Sequence, residues 1–227
     1  MKENFDAYIS LGDNCEPGLQ FRRIGYQRSS LFRYTTVTSN ALITLINNDF
    51  SDLFLKENLE PAAVDHMVFD RGSGMAFHSR LYSRFDPDIG KRTFRTDYDF
   101  DKIYRQEKNK VDYLVDKWHK LAASSQKVLY FFKNNQGSSR KEAVALRDTL
   151  ANRYPEHDFL ILYLQPRSLF EPPWGEARLA NVYLDHLAPY DNALKGGDRR
   201  GWNHLFRNYP LKHPPGGKLI HWLRCRF

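Results

Sequence analysis

A chain of 227 residues with 41% hydrophobic and 15% aromatic side chains can bury an ordinary globular core, which excludes wholesale disorder. No apolar run approaches the roughly 18 to 20 residues of a membrane span. The opening MKENFDAYISLGDN has acids where a secretory leader carries its apolar stretch, so the expected compartment is the cytoplasm, with peripheral membrane contact left open. The 34 Lys and Arg outweigh 27 Asp and Glu by a net +7, and two cysteines, Cys15 and Cys225, are too few for a disulfide-stapled scaffold or a structural zinc site.

Ala7–Leu11 is short, apolar and β-prone and runs into Gly12-Asp13-Asn14, so it reads as a buried strand followed by a turn. A helix is predicted over Glu16–Ile24, where Pro17 suits the first turn because its missing N–H costs nothing there. Thr38-Ser39-Asn40 offers a cap for a second helix carrying Ala41, Leu42, Leu45 and Ile46, and a further short helix is expected to include Leu53–Leu55. Met67–Phe69 and Met75–Phe77, separated by Arg71-Gly72-Ser73-Gly74, suggest a hairpin or loop excursion within residues 64–96. Ile103, Val111, Leu114, Val115, Trp118 and Leu121 recur by three, four and seven, the signature of one face of a long helix over Asp99–Ala123.

Lys127–Phe132 and Phe159–Leu164 read as buried strands joined by a helix that Ser139 and Glu142 open with capping-box spacing. Near-continuous apolar strands joined this way favour a parallel sheet covered on both faces, with a right-handed crossover. Gln165–Gly175 is a proline-rich loop, and Ala180–Leu184 adds an edge strand. Residues 195–227 then hold Lys195, Arg199, Arg200, Arg207, Lys212, Lys218, Arg224 and Arg226 against Asp198 alone, so this end carries the whole net charge. With Trp202, Phe206, Tyr209, Trp222 and Phe227 among them, these residues suit either an anionic surface or polymer, or a solvated tail packed by its aromatics.

The chemistry concentrates after the first strand. In open parallel sheets ligands bind beyond the carboxyl ends of strands, and a helix N-terminus supplies free N–H donors and lowers a thiol pKa, so Cys15 is the candidate nucleophile. Asn14 and nearby backbone N–H groups are candidates to polarise a carbonyl oxygen. Gly12, Asp13, Arg22, Arg23 and Arg33 are the candidate substrate-binding residues, although Gly12 also suits a tight turn, Asp13 a helix cap and Arg22 and Arg23 the solvated face of the first helix. A Cys–His mechanism needs an imidazole beside the sulfur; His78, His66 and His186 are the candidates, with Asp97, Asp99 or Asp185 to orient it. No GxSxG elbow, Rossmann glycine motif or phosphate loop occurs, and neither a nucleotide cofactor nor a metal is expected.

The string Ile9-Ser-Leu-Gly-Asp-Asn-Cys15-Glu-Pro-Gly-Leu-Gln-Phe-Arg22-Arg23, followed by Ser29-Ser-Leu-Phe-Arg-Tyr34, resembles the opening of an uncharacterised bacterial family described as putative papain-like cysteine peptidases. Asn48-Asp-Phe50 leading to Leu53-Phe54, then Gly74-Met-Ala-Phe-His78, the long helix and the strand at Val128–Phe132 continue the likeness over roughly residues 6–165. Members often accompany glycosyltransferase or capsule-type polysaccharide genes. The resemblance implies Cys15 as nucleophile and His78 as the leading general base.

The expected fold is therefore α/β: a mainly parallel central sheet with helices on both faces, a Rossmann-like or flavodoxin-like three-layer sandwich over residues 1–194, with a basic, aromatic extension over 195–227. The expected function is a cysteine-dependent hydrolase or acyltransferase acting on a small-molecule, peptide or glycan substrate. The alternatives are a binding or accessory protein of surface-polysaccharide synthesis and a glycosyltransferase-like enzyme.

Overall fold

Strands with almost no polar residue need cover on both faces, and two such segments form the middle of the central sheet. A computed structural model describes residues 3–133, 139–189 and 197–225. Its strands are β1 (Ala7–Ser10), β2 (Thr35–Thr36), β3 (Leu59–Pro61), β4 (Met67–Asp70), β5 (Met75–His78), β6 (Ser83–Asp86), β7 (Lys91–Phe94), β8 (Val128–Lys133), β9 (Phe159–Pro166) and β10 (Leu179–Leu184). Its helices are α1 (Glu16–Arg23), α2 (Ser39–Asn47), α3 (Phe100–Ala122), α4 (Arg140–Arg153), α5 (Arg199–Asn208) and α6 (Gly217–Arg224).

The four apolar strands form one parallel sheet in the order β1-β8-β9-β10. Alternate side chains face opposite layers. Ile9, Tyr130, Phe132, Ile161 and Tyr163 join one core, where α2, α3 and α4 contribute Leu42, Trp118 and Leu146. Tyr8, Leu129, Phe131, Leu162 and Leu164 join the other, where α1 and α5 contribute Phe21, Trp202, Leu205 and Phe206. Helices α2, α3 and α4 cover the first face, and α1 and α5 cover the second. The returning chain makes a parallel bridge from Leu211 to Phe5, just ahead of β1.

The fold is mixed α/β rather than parallel throughout. Six of its strands lie in antiparallel sheets, one ordered β2-β5-β4-β3 and one β6-β7, all inside the connection from β1 to β8. The hairpin expected around Arg71–Gly74 is β4–β5. The short helix expected at Leu53–Leu55 does not form. Phe50, Asp52 and Phe54 adopt φ of 58°, 62° and 61°, a left-handed backbone that no right-handed helix contains. The fully buried Asp70 holds this turn, accepting from Phe54 N at 2.8 Å and from Ser73 Oγ at 2.8 Å. The Ser139–Glu142 capping box forms, Thr38 caps α2 and Asp99 caps α3. Lys195, Arg226 and Phe227 of the basic end lie outside the described residues.

One buried histidine makes the fold acid-sensitive. His157 is 1% exposed, with Nε2 2.9 Å from the hydroxyl of buried Tyr130, and burial lowers its pKa to about 4. An unfolded histidine titrates near about 6.5, so as pH falls the unfolded chain takes up this proton first. Stability present above about 6.5 is therefore lost between 6.5 and 4, by about 2 to 3 kcal/mol. Urea melts across that window should show the slope, and His157→Gln should flatten it. An equal slope in the variant would assign the effect to other groups.

Candidate active site

The turn after β1 is shaped by close packing. Gly12 has φ +93°, and a β-carbon there would run into Val37, so both backbone and space require glycine. Cys15 follows as the N-cap of α1, with Pro17 in the first turn. One turn further, a β-carbon on Gly18 would collide with the carbonyl oxygen of Arg33, so the 33–36 segment lies hard against α1. That segment continues into β2, whose Thr35 pairs with Phe77 of β5. His78 ends β5 and so arrives beside the start of α1.

Its Nε2 lies 3.3 Å from Cys15 Sγ. Cys15 is half-buried and His78 exposed, and the His66 ring stacks on His78 with centroids 5.1 Å apart. Burial pushes the Cys15 thiol above its ordinary value, opposed by the charge of Lys133. Desolvation, then the neighbouring His66 and Lys110, holds His78 below the ordinary histidine value. Both shifts favour neutral forms. Burial thus opposes the lowering of the thiol pKa expected from the helix N-terminus.

A cavity of about 250 Å³ opens at His78 between Leu31, Phe54, Phe77, Val111 and Leu114. A broader recess of about 550 Å³ lies against His66, Arg80 and Gln106, and His78, Glu107 and Lys110 border both. Glu107 is buried and paired with Arg80 at 3.1 Å and Lys110 at 3.3 Å.

The other sequence candidates are placed as follows. The Asn14 side chain is engaged: Nδ2 donates to Ala188 O at 3.0 Å, and Oδ1 accepts from Glu16 N and from Lys133 Nζ. Asp13 is buried and 3.4 Å from Lys133 Nζ. Arg33 is buried and donates to the carbonyls of Arg28, Tyr26 and Gly18. Arg23 ties α1 to Asn203 and to the Arg224 carbonyl, and Arg22 is exposed on the same helix. Arg23 and Arg33 thus brace the chain around the site. Asp97 pairs with Arg95, Asp99 caps α3, Asp185 pairs with Arg167, and His186 is exposed. Among the described residues no carboxylate pairs with His78.

Sequence reasoning missed what lies beneath Cys15. Lys133 is fully buried at the carboxyl end of β8, and its Nζ reaches Ala188 O at 2.9 Å, Asn14 Oδ1 at 3.0 Å and Glu16 Oε2 at 3.1 Å. Glu16, also fully buried, accepts from Ala188 N and from Trp202 Nε1, each at 2.9 Å. The available signal was a lysine ending an otherwise apolar strand.

Residues 6–165 match the family described as "Putative papain-like cysteine peptidase". The chain belongs to this family. No curated protein and no solved structure gave a match. The matched stretch contains both Cys15 and His78 as well as Lys133, whereas Ala188 and Trp202, which complete the buried network, lie beyond it. A second Cys–His pair, Cys225 Sγ and His221 Nε2 at 3.7 Å on α6, is buried and borders neither cavity described above.

Proposed function

We propose that this member of the papain-like family is a cysteine-dependent hydrolase of peptide or other acyl bonds, with Cys15 as nucleophile and His78 as the proton carrier. The observation that carries the reading is the 3.3 Å approach of Cys15 Sγ to His78 Nε2 at a helix N-terminus. His78 in the tautomer with bare Nε2 takes the thiol proton as sulfur bonds to the substrate carbonyl carbon, and the carbonyl electron pair moves to oxygen. The backbone N–H of Cys15, with no acceptor among the described residues, is the donor suited to that oxyanion. Collapse expels the leaving group, which takes the proton from His78. Water, deprotonated by the same ring, then cleaves the thioester and restores the thiol. The apolar cavity at His78 suits a bulky apolar group of the substrate.

The test is the pH dependence of Cys15 alkylation and acylation in Cys225→Ser. Iodoacetamide alkylation should rise only beyond the ordinary thiol value of about 8.5, with no plateau near neutrality. Acylation by a p-nitrophenyl ester, read by intact mass, should stay fast down to a limb below about 6.5 and lose that limb in His78→Ala. Acylation no faster than in His78→Ala removes the mechanism.

A second reading, a binding or accessory protein of surface-polysaccharide synthesis, draws on the lack of an orienting carboxylate at His78 among the described residues and on the broad recess beside it. Glycan binding that survives Cys15→Ser, with no acyl adduct on the native protein, would select it.

A further inference from the structure

Helix α6 is mounted with its apolar side outward. His221 and Cys225 are buried against the second core, while Leu219, Ile220 and Leu223 are 71%, 44% and 43% exposed. At 3.6 residues per turn, those three share an arc about 100° wide, roughly opposite the buried pair. Three large aliphatic side chains on one exposed helical strip are unusual unless something covers them. Arg224 borders the strip and Lys218 lies in the first turn of the helix; both are exposed, as are Arg199, Arg200 and Arg207 earlier in the chain, Lys212 pairs with Asp6, and no acid occurs from Arg199 onward. Arg23, held to the Arg224 carbonyl, feels the like charge of Arg199, and Cys225 feels both Arg23 and Arg207. Arg23 and Arg199 thus lie near the C-terminal end of α6 and add to the positive charge of Lys218 and Arg224 on the helix itself.

We propose that α6 seats this protein on an anionic phospholipid bilayer, with Leu219, Ile220 and Leu223 entering the headgroup–acyl boundary and the surrounding cations meeting lipid phosphates. A protein partner would need its own acidic rim around an apolar groove, whereas a bilayer offers both features to any basic helix with an outward apolar strip. Docking there is independent of the Cys15–His78 reading, since the two features share no side chain.

Flotation of the full chain with vesicles of equal parts phosphatidylglycerol and phosphatidylcholine tests this, with pure phosphatidylcholine as comparison. The native protein should float with the anionic vesicles alone, and high salt should release it. Leu219→Ser with Leu223→Ser should weaken binding about tenfold or more, and Lys218→Gln about fivefold. All are exposed positions, so matching thermal melts will verify intact folding. Absence of flotation overturns the proposal, as does binding indifferent to the leucine pair, which is charge attraction without insertion. A concentration-dependent dimer that the leucine pair dissolves, with no vesicle binding, also overturns it by making the strip a self-contact.

Discussion

Cys15→Ala is expected to abolish turnover of an ester or peptide substrate while leaving the urea midpoint within a few tenths of its native value. Among the described residues Sγ has one polar contact, to His78, and it sits half-buried at a helix cap, so deleting it opens no closed cavity. His78→Ala should lower kcat/KM by about 10²- to 10⁴-fold, the span of a lost general base. Because both residues act on one proton, the double variant should be no worse than Cys15→Ala. An additive double loss would place the two groups in separate roles, and full turnover in Cys15→Ala would remove the nucleophile. Activity should fall at low pH as His78 is protonated, on a limb below the ordinary histidine value, because the held-down imidazole resists protonation until then.

Lys133→Met is expected to destabilise the fold by about 3 to 5 kcal/mol, the cost of breaking a buried ion pair from one side. The side chain is fully buried among Asp13, Asn14, Glu16 and the Ala188 carbonyl, and its loss leaves the fully buried Glu16 carboxylate without its cation. Glu16→Gln should also be costly, because both Glu16 oxygens accept from donors and the amide NH2 would have to face either Ala188 N–H or Trp202 Nε1–H. In the double variant the losses should fall short of their sum by at least about 1 kcal/mol, since the charge imbalance is counted twice in the singles. A urea-melt cycle reads this coupling. A Lys133→Met cost below about 1 kcal/mol would show that packing alone holds the turn. The same variant should slow Cys15 acylation while retaining its pH limb, as expected for a residue that positions the nucleophile and never touches substrate.

Segments whose pattern matched their burial were readable from sequence. Val128–Phe132 and Phe159–Leu164 are apolar on both faces because both faces are covered, and α3 shows one stripe because only one side meets the core. Thr35–Thr36 and Ser83–Asp86 were not readable, because strands of two or four residues, partly exposed, leave no alternation to detect. Helix α5 had a signal that went unused: Asp198 as cap and Trp202, Leu205, Phe206 and Tyr209 at helical spacing, obscured by the surrounding basic charge. At the site, Cys15 was legible from its place after a buried strand. The buried network was not, since Lys133 and Glu16 look like solvated ends of their elements until residues 188 and 202 close over them.

The bonds from Glu16 to Trp202 and from Phe5 to Pro210 and Lys212 have a consequence for synthesis. The strand leading to Cys15 is made well before residues 202–212, which supply the floor under its turn and the partner of Phe5 just ahead of it. At about 5 to 20 residues per second, the first strand waits on the order of ten seconds or more for those partners. Contacts so distant along the chain form late and slowly. Cys15 is therefore set in place only after residues 202–212 have emerged, and a chain interrupted before them would carry Cys15 without its foundation.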